Sequence, residues 1–213
     1  MNTTIYPQTL PPKTAHLFQV LRQGKLEFLS SFYLSGGTAL SLQLGHRESE
    51  DLDFFTKHPF QLDLIERQLL PHGTLSETEL AQGTLNTYLN GVKLQFLLYP
   101  YRLIEPLTTW EGINLSSVID IACTKLQTIG MRGSKKDFID LYFLLQQFSL
   151  ETLLVQTKKK YVESDYSESH ILKSLVYFDD AETQPMPRMH HDVSWDKIKE
   201  TLIFAVKSIP IIR

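Results

Sequence analysis

A chain of 213 residues with 42% hydrophobic content can bury one compact core, or a core with a helical appendage, and would be tight for two full domains. A net charge of −3 excludes a generally basic, nucleic-acid-coating protein, though it leaves room for a local basic patch. A single cysteine, Cys123, excludes an internal disulfide framework, and no apolar run approaches the roughly 18 residues of a membrane span.

The opening MNTTIYPQTLPPK carries three prolines and reads as an extended arm; it has neither the cationic start nor the apolar core of an export signal. The protein is therefore expected to be soluble and cytoplasmic, with no membrane partner. From Lys13, TAHLFQVLRQGKLEF puts Leu17, Val20 and Leu21 on one helical stripe. FYLS then makes a short buried strand, and Gly36-Gly37 gives a tight turn directly into the helix TALSLQLG, with Gly45 where a helix C-terminal glycine belongs. Backbone N–H groups at the start of that helix, beside the Thr38 hydroxyl, attract phosphate.

The next strand, DLDFF, alternates its side chains. Asp51 and Asp53 share one face while Leu52 and Phe54 point into the core. Two carboxylates roughly 7 Å apart at Cα suit a hard cation, and Mg²⁺, completed by water and substrate phosphates, is the natural candidate. His46, in the loop between, has no metal-ligand spacing around it, and Arg47 either faces water or touches the γ-phosphate or the acceptor.

FQLDLIERQLLP forms a further amphipathic helix closed by Pro71, and GTLNTYLNGVKLQFLLYP reads as a hairpin turned by Asn90-Gly91. Ser116-Ser117 cap a helix with Asp120 in its first turn and Val118, Ile121, Ala122, Leu126 and Ile129 at helical spacing. Cys123 reads as a buried packing residue there, and Lys125 either snorkels at the edge of the stripe or reaches into a cleft. Gly133 breaks the helix and Ser134 caps another, KKDFIDLYFLL. On it Asp137 and Asp140 lie three apart, either as surface partners of Arg132, Lys135 and Lys136 or as functional acids. Downstream, LETLLVQTKKKYVES ends in Lys158 to Lys160, a solvated helix end or an RNA contact, and SESHILKSLVYFDDAE makes another helix. QPMPRMHHD is a loop whose His190-His191 pair lacks metal-ligand partners, and WDKIKETLIFAVKSI is a last amphipathic helix.

GGTAL followed by GHRESEDLDFF resembles the signature of the AbiEii/AbiGii-type nucleotidyltransferase toxins, a branch of the DNA polymerase β-like superfamily. ACTKLQTIGMRGSKKDFIDLYFLL resembles that family's following helical segment, in which a lysine precedes an arginine and a D-x-x-D pair. The resemblance implies an α/β fold: a nucleotidyltransferase-like mixed sheet core flanked by helices over residues 1–110, and a C-terminal helical region over 111–213. It also implies transfer of an NMP from an NTP to an acceptor hydroxyl with one or two Mg²⁺ held by Asp51 and Asp53. Gly36, Gly37, Thr38, Arg47, Ser49 and Arg132 would contact nucleotide or phosphate, Lys125 would offset triphosphate charge, and Asp140 would orient Lys125 or the nucleotide. A toxin of a toxin–antitoxin or phage-defence pair follows, with tRNA as acceptor and a cognate antitoxin as partner.

One position departs from the pattern. The strand that supplies a third carboxylate in the wider superfamily here carries Gln95, which cannot deprotonate a hydroxyl. A catalytically degenerate nucleotide-binding relative, or a transferase acting on a small molecule or protein, are the other readings.

Overall fold

The computed structural model describes residues 4–24, 26–163 and 167–210; residues 1–3 of the proline-bearing arm, Lys25, and Ser164 at the end of the lysine-run segment lie outside them. The described chain forms two compact units, one of residues 1–101 and 106–117, the other of 102–105 and 118–213. The sheet unit thus extends to Ser117, past the expected boundary at 110, because residues 108–115 pair into the sheet.

The first unit is built on a mixed sheet of β1 (Tyr33–Ser35), β2 (Leu52–Thr56), β3 (Leu75–Ala81), β4 (Thr84–Leu89), β5 (Val92–Leu98), β6 (Thr108–Trp110) and β7 (Ile113–Leu115). The spatial order is β3-β4-β5-β2-β1-β7-β6. β1 runs parallel to β7 and β2 parallel to β5, and the other pairs are antiparallel. One face is apolar: Leu52, Phe54, Leu85, Leu89, Leu94 and Phe96 are buried, with Phe54 stacked on Phe96 at 5.3 Å. On the opposite face Asp53, Asn86, Tyr88, Lys93 and Gln95 are half-buried and polar, while Phe55 and Tyr33, further along it, are buried.

The Asn90-Gly91 hairpin forms as read, both residues taking positive φ (53° and 77°) as a primed two-residue turn requires. β3 and the β6–β7 hairpin were not foreseen. β3 is a polar edge strand, LSETELA, with a register shift between Ser76 and Glu79. Polar side chains and an irregularity at an edge discourage pairing with other chains.

Helix α1 (Pro12–Gln23) buries Thr14, Leu17, Phe18 and Leu21, so its inward stripe runs through Phe18 rather than Val20. Phe18 stacks on Trp110 at 4.9 Å. The arm before α1 is fastened, not loose: Tyr6 N–H donates to Leu42 O at 2.8 Å, and Thr9 O accepts from Ser49 N–H at 3.0 Å. Helix α2 (Gly36–Leu44) ends on Gly45 in the left-handed region, φ 71°, and helix α3 (Leu62–Leu69) follows β2.

The second unit contains α4 (Val118–Met131), α5 (Lys135–Leu144), α6 (Leu150–Lys160), α7 (Glu168–Ser174), α8 (Asp179–Glu182) and α9 (Trp195–Lys207). Asp120 ties residues 102–105 to it, accepting from Ile104 N–H at 2.9 Å and Glu105 N–H at 3.1 Å. Lys160 completes the joint, its Nζ 2.7 Å from Asp120 and 2.9 Å from Arg102 O. The lysine run therefore divides: Lys158 and Lys159 are exposed, whereas Lys160 is buried in an ion pair and unavailable to RNA. Cys123 is buried, and burial pushes its thiol up to about 11.

Candidate active site

β1 delivers the chain to Gly36, which has φ 66°. The β1–β2 register sets Ser35 opposite Asp53, so the Asp53 carboxylate lies against the turn. A Cβ on Gly36 would collide with an Asp53 carboxylate oxygen and sit 3.3 Å from its Cγ. Glycine is thus required twice, by backbone conformation and by the acid beside it. A Cβ on Gly37 would come within 2.8 Å of Arg47 Nη2 and 3.2 Å of Ser49 Oγ. The turn, Asp53, Arg47 and Ser49 therefore share one neighbourhood within the first unit.

Thr38 plays a different part from the one expected. It is 1% exposed, its hydroxyl bonds to the Asp51 carbonyl and pairs with Ser49 Oγ at 2.8 Å. It is a tie between α2 and the loop that brings Asp51, not an open side-chain ligand for phosphate. Arg47 is buried too, at 2% exposure, with Nη1 donating to Glu48 O at 2.9 Å. Its guanidinium adds fixed positive charge next to Gly37. Thr14 holds the same loop from α1, donating to Glu50 O at 3.0 Å. His46 is fully buried, a structural residue.

Across the sheet, Asp53 pairs in register with Gln95, and Gln95 with Asn86, to which its amide donates at 2.8 Å. Gln95 thus occupies the position beside Asp53, and no register slip brings a third acid there. Among the described residues no group of three or more His, Cys, Asp or Glu is arranged to hold a metal ion. The two oxygen donors that remain, Asp51 and Asp53, suit a cation that binds through one or two carboxylates and leaves its other positions to water and phosphate. Gly36 places no Cβ against the Asp53 carboxylate, and two acids are the kind of donor set that Mg²⁺ takes.

The second unit holds Lys125, Arg132 and Asp140. Lys125 Nζ lies 2.8 Å from Asp137 Oδ1 and 2.7 Å from Asp140 Oδ2. Asp137 also accepts from Ser134 Oγ at 2.6 Å through its other oxygen, joining the start of α5 to the lysine on α4. The two acids are buried partners of Lys125, not surface partners of Arg132, Lys135 and Lys136. Lys135 instead donates to Glu182 O at 3.0 Å and sits 5.0 Å over the Trp195 ring. Arg132 is exposed just beyond α4. The importance of Asp137 was visible only as spacing, since its partner lies 12 residues earlier on another helix.

The sequence matches the family described as Nucleotidyl transferase AbiEii toxin, Type IV TA system, over residues 19–89 and 92–209. The chain belongs to the AbiEii family. It is accordingly a nucleotidyltransferase, with a nucleoside triphosphate as substrate. An uncharacterised protein of Aquifex aeolicus, aq_aa25, is 40% identical over 183 residues, covering 82% of this chain and 86% of that one. A putative nucleotidyltransferase from H. pylori aligns with TM-score 0.57 and 17% identity, over 92% of this AbiEii chain and 94% of its own. MenT4, a nucleotidyltransferase toxin from Mycobacterium tuberculosis, aligns with TM-score 0.52 and 14% identity, over 94% and 87%. These likenesses establish the shared fold. Among the described residues no helix is long and apolar enough to cross a membrane.

Proposed function

We propose that this chain is an Mg²⁺-dependent transferase that moves an NMP from an NTP to an acceptor hydroxyl, acting in the cytoplasm as the toxin of a toxin–antitoxin or phage-defence pair. tRNA is the proposed acceptor and a cognate antitoxin the proposed partner. The observation that carries the reading is the contact of the Asp53 carboxylate with Gly36, which joins the acid to the phosphate-attracting turn.

The triphosphate lies with its phosphates at the Gly36-Gly37 turn, where helix amides and the Arg47 guanidinium offset their charge. Asp51 and Asp53 would hold Mg²⁺, which when bound supplies charge neutralisation on the polyphosphate. The acceptor hydroxyl attacks the α-phosphorus in line: a new P–O bond forms, the bond to the bridging oxygen breaks, and pyrophosphate leaves with its electron pair. The hydroxyl proton passes to the Asp51/Asp53 pair, since Gln95 is a neutral amide bonded to Asn86. Ser49 and Thr38 keep the loop in place. Lys125 and Arg132 are proposed as further phosphate contacts and Asp140 as the residue that positions Lys125; these roles rest on the family motif.

The test is incubation of the parent and of Asp53→Asn with labelled triphosphate, Mg²⁺ and total tRNA. The parent should label tRNA, chelation should stop it, and Asp53→Asn should lose transfer while melting at the parent's temperature. Equal labelling by Asp53→Asn would refute the assignment.

A further inference from the structure

Asp51 stands just outside the strand it introduces. β2 begins at Leu52, so Asp51 precedes the first in-register pair, Leu52 with Leu94 of β5, and it is exposed. Among the described residues its side chain makes no hydrogen bond or ion pair, so its own backbone is what aims it. The direction of a Cβ is set by the two rigid peptide planes that meet at its Cα, which turn only about φ and ψ.

Both planes at Asp51 are held. The carbonyl before it, Glu50 O, accepts from the Thr14 hydroxyl of α1 at 3.0 Å. Its own carbonyl accepts from the Thr38 hydroxyl of α2. Thr14 and Thr38 are 2% and 1% exposed, so water does not compete for either bond. The direction of the Thr14 hydroxyl is itself telling. A helical threonine commonly bonds back to a carbonyl of the preceding turn, as Thr124 does to Asp120 O at 3.0 Å and Thr157 to Leu153 O at 2.7 Å. Thr14 instead reaches out of α1 to a residue 36 positions on. Thr38 lies within the residues that match the AbiEii family, whereas Thr14 lies before them, because the match opens at residue 19.

We infer that Thr14 is a positioning residue of the transfer site: with Thr38 it fixes φ and ψ of Asp51, and so holds that carboxylate where it meets the metal beside Asp53. The inference rests on the reading of Asp51 and Asp53 as the Mg²⁺ donors. Removing the Thr14 hydroxyl frees the Glu50–Asp51 peptide plane while the acid, Thr38 and the glycine turn stay in place. Groups that orient a metal-binding side chain without touching the ion change metal affinity by about 10–100-fold when removed.

The experiment titrates the whole chain with Mn²⁺, which takes the same oxygen donors as Mg²⁺, and reads the free ion by electron paramagnetic resonance with no nucleotide present. Thr14→Val, which keeps the shape and loses the hydroxyl, should weaken Mn²⁺ binding about tenfold, and Thr14→Ser, which restores the donor, should bind like the parent. Thr9→Val is the matched control: its hydroxyl is equally buried on the same segment but donates to Tyr6 O at 2.8 Å, away from Asp51. Both valine variants should melt about 2–4 °C below the parent, and only Thr14→Val should lose affinity. In transfer of labelled nucleotide, the Mg²⁺ concentration for half-maximal rate should rise in Thr14→Val by the same factor as its Kd for Mn²⁺. Asp51→Asn separates the two claims. If it binds Mn²⁺ as the parent does, or the parent binds none, the donor assignment falls and takes the inference with it. If Asp51→Asn loses the ion while Thr14→Val keeps it, if Thr9→Val loses as much affinity as Thr14→Val, or if Thr14→Ser fails to restore it, the inference alone is overturned.

Discussion

Replacing Gly36 by alanine separates the two demands made on that residue. At φ 66° an added Cβ costs about 1–2 kcal/mol of backbone strain. For a chain of this size that lowers the melting temperature by about 2–8 °C. Gly112 provides the reference, because it has φ 84° and nothing within 4 Å of an added Cβ. Gly112→Ala therefore reports strain alone. Gly36→Ala carries the same strain and also drives the new methyl into the Asp53 carboxylate, which must turn away. A carboxylate misplaced by about 1 Å costs on the order of 100-fold in rate. Thermal melts and incorporation of labelled nucleotide, run on both variants, should show similar loss of stability and loss of transfer in Gly36→Ala only. If Gly36→Ala transfers nucleotide as fast as Gly112→Ala, the turn and the acid do not share a functional pocket.

Lys125→Met removes the cation between two buried acids and should cost about 3–5 kcal/mol in equilibrium denaturation. Adding Asp140→Asn to it should recover part of the loss, since one uncompensated charge is gone; strictly additive losses would contradict the pairing. Burial holds the Cys123 thiol at about 11 against an ordinary 9.0, so the folded state keeps a proton that the unfolded state releases. Stability should therefore fall as pH rises from about 9 to 11, by up to about 2–3 kcal/mol, and Cys123→Ala should show a flatter profile over that window in denaturant titrations.

Legibility in the sequence followed the range of the signal. The glycine turn, the Gly45 helix end, the Asn90-Gly91 hairpin and the break between α4 and α5 are each written in a few adjacent residues, and each formed where read. β3 was missed because LSETELA shows no apolar alternation at a solvent-facing edge. The β6–β7 hairpin was missed because its strands are three residues long and its turn, Glu111-Gly112, puts a glutamate at positive φ. On α1 the stripe was read through Val20, and the Trp110 ring, which stacks on Phe18, draws Phe18 inward instead. Lysines were the hardest to place. Lys135 and Lys160 sit in charged runs that read as solvated, yet both are buried by partners far along the chain, Glu182 and Asp120. In the site itself the types of residue were legible and their neighbours only partly so. Asp53 beside the glycines follows from β1 and β2 pairing, but nothing local indicated that the Thr38 hydroxyl would be used up on the Asp51 carbonyl.

The segment before α1 links the far end of the chain to the chemistry. Tyr6 is bonded to Leu42 of α2, and Thr9 and Thr14 to Ser49 and Glu50, so the loop carrying Arg47 and Asp51 is sewn at two points, and the helix before it at a third, to residues that hold no charge. Trimming or re-engineering the leading fourteen residues would unpick that seam and let the acid swing, and an inactive shortened protein would then be a case of lost anchorage with every reactive group still in place.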